Sequence, residues 1–409
     1  MSGSAWSSGT FQVVETQKGP DMRYCDSIFG ALLKKLSRRS YQSIVTRCRG
    51  DRYAKSLPAW DHLLAMLFAQ FTGAASLRSL EADWNAHAHH HYHLGSGPVA
   101  RSTLSDANAR EARAAVFAEL FGTLSQQAAG VLKREGDTMV RLLDATPIPL
   151  PELCAWASSN GRTRGMKLHV VYNPHTDHPM RIEITPANVN DITAGRAFPV
   201  EPGAIYVFDK GYCDHGWWRR LDKAGCGFVT RPKANMRIDV VARLALPEKA
   251  GNGFVILADE IGHHSSKDGS RLDFPLRRLT LKIDDGREFT LITNDLDAGA
   301  LEIGRLYKSR WDIELLFRWL KQHLKIRSFF GRSQTAIRIQ ILTAMIAFLL
   351  LRIAARHSRS KLPPIRFAGL VARCLFTRKP IDRLERPPQV NPSKPKSTHS
   401  PDQLELAYA

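Results

Sequence analysis

Cysteine is scarce in this chain: six residues in 409, at positions 25, 48, 154, 213, 226 and 374. No two stand in a C-x-x-C pair, which excludes a zinc ribbon and gives no disulfide framework. They read as reduced, partly buried thiols of an intracellular protein. Long apolar runs are missing too. The longest, Ile341–Leu351, is about half the ~20 residues that a membrane span needs, and it reads as a buried core helix. The first twenty residues have no apolar h-region of a secretory signal. Acidic residues run short, with 39 Asp plus Glu against 58 Lys plus Arg, and the net charge is +19. Such an excess repels itself in a compact chain unless a polyanion relieves it, so nucleic acid leads the candidate partners. What is present is ordinary: 44% hydrophobic and 24% charged residues exclude a chain disordered throughout.

Residues 1–22 are Ser/Gly-rich without a sustained period and read as a disordered leader, with Met22 an alternative start. From 23 to 132 the pattern is helical: IFGALLKKL, LPAWDHLLAMLFAQFTG and REARAAVFAELFGTL place apolar residues three and four apart. Pro58 suits a first turn and Gly73 a C-terminal cap. Further on, the hydroxyls of Ser102, Thr103 and Ser105 can cap a helix that carries Asn108 and Arg110. His87, His89, His90, His91 and His93 have no other ligand-spaced residue nearby and read as a solvated polar loop.

At about 136 the period turns extended. Strands are expected at 138–148, 166–173, 180–187 and 204–209, then a helix in HGWWRRLDKAG and a strand in GFVTRP. Residues 234–296 look strand-rich, with turn signals at Gly251-Asn252-Gly253 and Asp284-Asp285-Gly286. The helical period returns from 297 to about 360, and 380–409 reads as a basic, disordered tail. The expected class is α/β. An all-helical domain (23–132) precedes a mixed domain built from 136–233 and 297–360, with 234–296 a β-rich insertion.

Two acids close apolar strands: Asp144 in LLDATPIP and Asp209 in AIYVFDKGYCD. A carboxylate is costly inside a strand but useful at its exit, where it meets solvent or a metal. Taken alone, each is as readily the acidic start of a turn. A third feature changes the balance. In YKSRWDIELLFRWLKQHLKI, Tyr307, Arg310, Glu314 and Lys321 stand at offsets 0, 3, 7 and 14, which at 100° per residue fall within roughly 60° of arc. An i,i+4 Arg310–Glu314 pair alone contributes only a few tenths of a kcal/mol. A polar stripe on a helix otherwise rich in Trp, Leu and Phe is better explained by a shared anionic target. Asp312 points well away from this stripe, Asp295 and Asp297 can cap the next helix, and Asp214 is a weaker rival to Asp209.

The spacing Tyr307-x2-Arg310-x3-Glu314-x6-Lys321, preceded by two strand-end aspartates, resembles the signature of bacterial cut-and-paste transposases of the insertion-sequence-four family. GDRYAKSLPAWDHLLAMLFAQFTGAASLRSLE, RSTLSDANAR, MKLHVVYN, FVTRPK, LITNDLD and the helix from 334 to 352 also resemble family sequence, so the likeness spans roughly 25–380. It implies a ribonuclease-H-like catalytic fold with the first Asp on the first strand, the second closing the fourth, and the Glu on a later helix. The offset of 105 positions from Asp209 to Glu314 leaves room for the family's β-rich insertion.

The resemblance implies a DNA transposase that cleaves its element's ends and joins them to target DNA. Asp144 as bridging ligand, with Asp209 and Glu314, would hold two Mg²⁺, for which Mn²⁺ can substitute. Tyr307, Arg310, Lys321, Trp311 and Lys210 would contact DNA beside them. The chain has no Trp between 218 and 311, so the tryptophan that takes a flipped base in better-studied relatives has no counterpart, and Phe289 is its nearest substitute. Partners would be double-stranded DNA, as terminal inverted repeats and target, and further copies of the chain in a homodimer or larger assembly. Arg101, Thr103, Ser105, Asn108 and Arg110 are the candidates for reading DNA with the N-terminal domain. A cytoplasmic, nucleoid-associated location is expected. Two other readings share the fold: a nuclease or resolvase that cuts without joining, and an inactive transposase-derived DNA-binding protein.

Overall fold

In a computed structural model of the protein, residues 26–132, 139–247, 253–265, 271–323 and 329–385 are described. The expected leader (1–22) and the tail from 386 on lie outside them. At the start of the expected tail, Pro380 leads into a 3-10 turn at Ile381–Arg383 and Leu384 is buried, so ordered chain runs past the expected boundary.

Helices come first. α1 (Ile28–Leu33), α2 (Arg38–Arg47) and α4 (Leu77–Ala86) each start at a serine, Ser27, Ser37 and Ser76, whose hydroxyl accepts a backbone N–H of the first turn. Between them α3 (Ala59–Thr72) follows Pro58 and is closed by Gly73 at φ +72°, a left-handed turn that a side chain would strain. α5 (Ala88–Leu94), α6 (Arg101–Asn108) and the long α7 (Glu111–Leu132) complete the region.

The histidine run is not a loop. It forms α5 and its junction with α4, because aromatic partners recruit the rings. His91 is buried, stacks on Trp84 at 4.4 Å and holds the Trp84 carbonyl at 3.1 Å. His87 and His90 stack on Phe376 at 4.5 and 4.6 Å, fastening the C-terminal segment to the helical region.

The mixed region follows: β1 (Val140–Pro149), β2 (Gly165–Asn173), β3 (His178–Pro186), α8 (Asp191–Ala197), β4 (Ile205–Phe208), α9 (His215–Lys223) and β5 (Gly227–Thr230). Next come β6 (Arg237–Arg243), β7 (Phe254–Ser265), β8 (Leu276–Ile283) and β9 (Glu288–Thr293). α10 (Ala300–Ser309), α11 (Trp311–His323), α12 (Gln334–His357) and α13 (Pro364–Arg373) close the chain. All nine strands join one sheet in the order β3-β2-β1-β4-β5-β9-β8-β7-β6. β1, β4 and β5 run parallel, and the remaining pairings are antiparallel. The expected insertion therefore extends the central sheet, through Val229 against Thr293 and Thr230 against Ile292. Of its two turn signals, 251–252 lies outside the described residues. The other joins β8 to β9, with Gly286 at φ +86°.

Alternation along the strands sends side chains to opposite faces of the sheet. Leu143, Phe208 and Phe228 meet Trp217 and Trp218 of α9 in one core. Leu142, Val207 and Val229 belong to the larger core, shared with α7, α11 and α12. α7 is pinned to β3 by the Ser125 hydroxyl, which donates to the carbonyls of Pro179 and Met180 at 3.1 and 2.8 Å. α12 is apolar and long enough to cross a membrane, yet 89% of its most apolar window is buried inside the protein. Ile341–Leu351 is buried throughout, as expected of a core helix.

Candidate active site

Strand register brings the two aspartates together. β1 and β4 pair in parallel with Leu143 opposite Phe208, so Asp144 and Asp209 are the next residues of the two neighbouring segments. Asp209 closes β4 as expected, but Asp144 stands midway along β1, paired with Val170 of β2, because the antiparallel ladder to β2 runs on to Pro149. By the two-residue alternation both lie on the face of Leu142 and Val207, where α11 packs through Ile313, Phe317 and Leu320. α11 also carries Glu314. A cleft of about 410 Å³ opens between Asp144 and Glu314, lined also by Ala145, Thr146, Phe317, Arg318 and Lys321 but not by Asp209.

Arg310 ties the acids. Its Nη1 donates to Asp144 Oδ2 at 3.0 Å and its Nη2 to Glu314 Oε1 at 2.5 Å. The stretch expected as one helix is two, α10 and α11, joined at Arg310. The stripe survives because Arg310 keeps right-handed backbone (φ −54°, ψ −26°) and its N–H tightens onto the Tyr307 carbonyl at 3.1 Å. The Arg310 guanidinium lies 5.8 Å from the centre of the Tyr307 ring.

The acids are desolvated and crowd one another. Burial pushes the Asp144 carboxyl up to about 7; Arg310 and the Ala145 N–H oppose this, and Asp209 and Glu314 add to it. Asp209 is also raised, by burial first and by Asp191 among its neighbours, while the Gly211 N–H, donating to Oδ1 at 2.8 Å, opposes. A Cβ at Gly211 would stand 2.9 Å from Asp209 Oδ1 and 3.1 Å from Asp191 Oδ2, so glycine is what lets both carboxylates approach the turn. Burial works against the Arg310 charge, but Asp144, Tyr307 and Glu314 outweigh it and raise its pKa.

Three oxygen-donor carboxylates with a shortage of positive charge suit a hard divalent cation. As they stand they do not form a closed cage: among the described residues no three His, Cys, Asp or Glu side chains are gathered closely enough to hold an ion. Arg310 stands between two of the acids that would have to close.

The relatives decide the family. A model described as "Transposase DDE domain" matches residues 135–350, and one described as "Domain of unknown function (DUF4372)" matches 24–96. The transposase-named protein y4zB of Sinorhizobium fredii is 54% identical over 75% of this chain and 85% of its own length. The chain belongs to the DDE transposases. A transposase-named relative from insertion sequence element IS5377 of Geobacillus stearothermophilus is 27% identical over 52% of this chain and 56% of its own. Among solved structures, a piggyBac transposase synaptic complex with hairpin DNA gives a TM-score of 0.42 at 8% identity, over 89% of this chain and 81% of that one. The protein is thus a DNA transposase, of the bacterial insertion-sequence kind.

The transposase's other expected contacts are scattered. Lys210 is exposed just after Asp209, and Lys321 lines the acid cleft. Trp311 is 51% exposed, with the Arg318 guanidinium 5.9 Å from its ring. It opens onto a separate cavity of about 790 Å³ beside the added strands, which Phe289, Tyr307 and Arg310 also line. In the helical region, Arg101 and Ser105 are exposed and share a cavity of about 480 Å³ with Ser76, Arg78 and Phe330. Thr103 and Arg110 are half-buried. Asn108 faces inward: it is buried, and its Oδ1 lies 3.0 Å from His62 Nε2, so it does not present its amide to DNA. No hydroxyl caps α6 either, since its N-cap is Ala100 and Thr103 donates back to the Ala100 carbonyl.

The rival acids have structural work. Asp214 caps α9 and pairs with Arg196, Asp295 accepts the N–H groups of Asp297 and Ala298, and Asp312 lines a different cavity with Asp177. Asp191 is the neighbour that the sequence pattern does not single out. It sits beside Asp209 and is held by Lys167 Nζ at 2.8 Å. Its only sequence signal is a helix start after Asn190.

Proposed function

We propose that this transposase belongs to the insertion-sequence-four family and works by cut-and-paste, with Asp144, Asp209 and Glu314 as its catalytic acids. The observation that carries the reading is the juxtaposition of Asp144, midway along β1, with Asp209, just past the end of the parallel β4, and of Glu314, joined to Asp144 through one guanidinium. The order β3-β2-β1-β4-β5 supports a ribonuclease-H-like reading of this half of the sheet. Asp144, Asp209 and Glu314 would hold two divalent ions, Mg²⁺ with Mn²⁺ able to substitute. Bound there, such ions stabilise charge on the entering and leaving oxygens of a phosphodiester and lower the pKa of the attacking water.

The chain's own groups position the DNA. Arg310 offers a planar fork and Lys321 a point charge to phosphate oxygens at the cleft, and Tyr307 packs against Arg310. Lys210, exposed just after Asp209, and Trp311, on the neighbouring cavity, add further DNA contacts. Arg101, Thr103, Ser105 and Arg110 contact the terminal repeats, and the +19 charge favours both repeat and target DNA. Two ends must be held together, so the active form is a homodimer or larger.

The test is Mg²⁺-dependent excision from a plasmid bearing the flanking repeats, followed by joining of a precut 3′-OH end. Asp144→Ala and Glu314→Ala should abolish both. Retained cleavage in Asp144→Ala ends the assignment, and cutting without joining makes the protein a nuclease.

A further inference from the structure

Two carboxylates, Asp144 and Glu314, line the acid cleft, and one cation is placed between them in a way that excludes another. Arg310 occupies Asp144 Oδ2 and Glu314 Oε1 together, at 3.0 and 2.5 Å. Asp144 Oδ1 already accepts the Ala145 N–H at 2.8 Å, so a divalent ion shared by those carboxylates is directed to Oδ2, the oxygen that Arg310 holds, and guanidinium and metal compete for it. The arginine is also incompletely satisfied. Its Nε is buried with no hydrogen-bond acceptor, leaving one donor available to a further anion. There is space for it to withdraw: Arg310 lies at the α10–α11 junction and borders the cavity of about 790 Å³ shared with Tyr307 and Phe289.

We infer that Arg310 is a resident counter-ion of the carboxylate cluster, which competes with the divalent ions and must turn from the acids before they close on metal. This rests on the proposed reading that the three acids hold those ions. Arg310 keeps desolvated carboxylates neutralised while the protein is off DNA, at the expense of metal affinity. A phosphodiester oxygen that draws Arg310 away frees both acids. By linkage, metal and DNA then strengthen each other's binding at this one side chain.

Mn²⁺ affinity of the DNA-free full chain tests this, measured by electron paramagnetic resonance for the parent, Arg310→Ala, Arg310→Lys and Asp144→Asn. Arg310→Ala should bind Mn²⁺ on the order of 10-fold more tightly than the parent. Arg310→Lys, which keeps a charge without the fork, should fall between them. Asp144→Asn should bind weakly. Arg310→Ala no tighter than the parent, with Asp144→Asn still weakened, overturns the counter-ion role and leaves the proposed site standing. Unchanged Mn²⁺ binding in Asp144→Asn overturns the site itself, and the inference with it.

Should Arg310→Ala not fold, the parent alone decides. Its Arg310 Nε–H resonance, assigned by comparison with Arg310→Lys, should move on Mg²⁺ addition with the midpoint of ion binding. A resonance that stays put while Mg²⁺ binds overturns the inference.

Discussion

Arg113 in the helical region and Arg310 at the sheet are both withdrawn from solvent, and their surroundings differ in one respect. Arg113, 1% exposed on α7, donates to the Leu57 carbonyl at 2.6 Å and lies 3.1 Å from Asp51. One acid answers one base. Burial lowers the Arg113 pKa, and Asp51 only partly restores it. Around Arg310 the acids outnumber the base, with Asp144 and Glu314 in contact and Asp209 adding to the crowding. The first arrangement fixes a fold. The second holds desolvated negative charge that folding alone does not need, and such imbalance marks a candidate functional site.

The sharpest way to separate the two regions is by activity against stability. Asp209→Asn should lower plasmid excision by at least ~10³-fold. It removes charge from a crowded site, so its urea midpoint should match or exceed that of the parent. A fall in midpoint equal to the loss of activity would make Asp209 a structural residue. Arg113→Met should behave in reverse, costing about 1–3 kcal/mol of stability because the buried Leu57 carbonyl loses its donor, while Asp51, 39% exposed, is rehydrated. At temperatures where it stays folded, its excision rate should be near the parent's. An Arg113→Met protein as stable as the parent breaks the comparison on the helical side.

One buried group from each region, Asp144 and His62, should also respond to pH with opposite signs. Asp144 titrates near 7 in the folded chain against 3.8 unfolded, so between those values the folded state holds more protons. Its carboxyl therefore removes stability as pH rises from about 4 to 7, on the order of a few kcal/mol in total. Asp144→Asn lacks that liability, and its margin over the parent should grow across that window and level off above it. In the helical region burial lowers His62 from 6.5 to about 3. The folded state then holds fewer protons, and stability should fall as pH drops from about 6.5 toward 3. His62→Gln should flatten that limb alone. Urea midpoints from pH 4 to 8 report both, and a pH-independent margin for Asp144→Asn would refute the first.

Much of this site is legible in the chain's own residues. An acid next to an apolar run announces itself because a buried carboxylate is costly without a partner, and Asp144 and Asp209 stand at the same level of two neighbouring strands, although only Asp209 is at a strand end. The arc of Tyr307, Arg310 and Glu314 outlives the break in its helix because one right-handed residue hardly disturbs a 100° step. Long-range placement is not legible. Nothing local tells that β9 returns to β5 more than sixty residues later, and so whether the insertion stands apart or widens the sheet. Asn108 shows the same limit at one side chain. An amide near a helix start can read a base or satisfy a buried imidazole, and only the packing of α6 on α3 decides for His62. The histidine run misleads by composition: polar residues in series suggest a loop until Trp84 and Phe376 supply faces to stack on.

Phe376 also supplies the smallest expected effect, at the seam between the helical region and the C-terminal segment. His90 lies parallel to its ring, with centroids 4.6 Å apart and an interplanar angle of 2°. His87 stacks on the same ring, and Arg378 meets His93 Nε2 at 3.1 Å, so the seam has several fastenings. Losing one aromatic pair of this kind should take about 0.5–1.5 kcal/mol, at the low end of the loss expected for Arg113→Met. His90→Ala should therefore leave excision intact and loosen only the chain around Phe376, read as faster amide hydrogen exchange there. Exchange that accelerates equally at β1 and β4 would mean that the seam supports the acid pair directly, and the two regions could no longer be treated as separately stabilised.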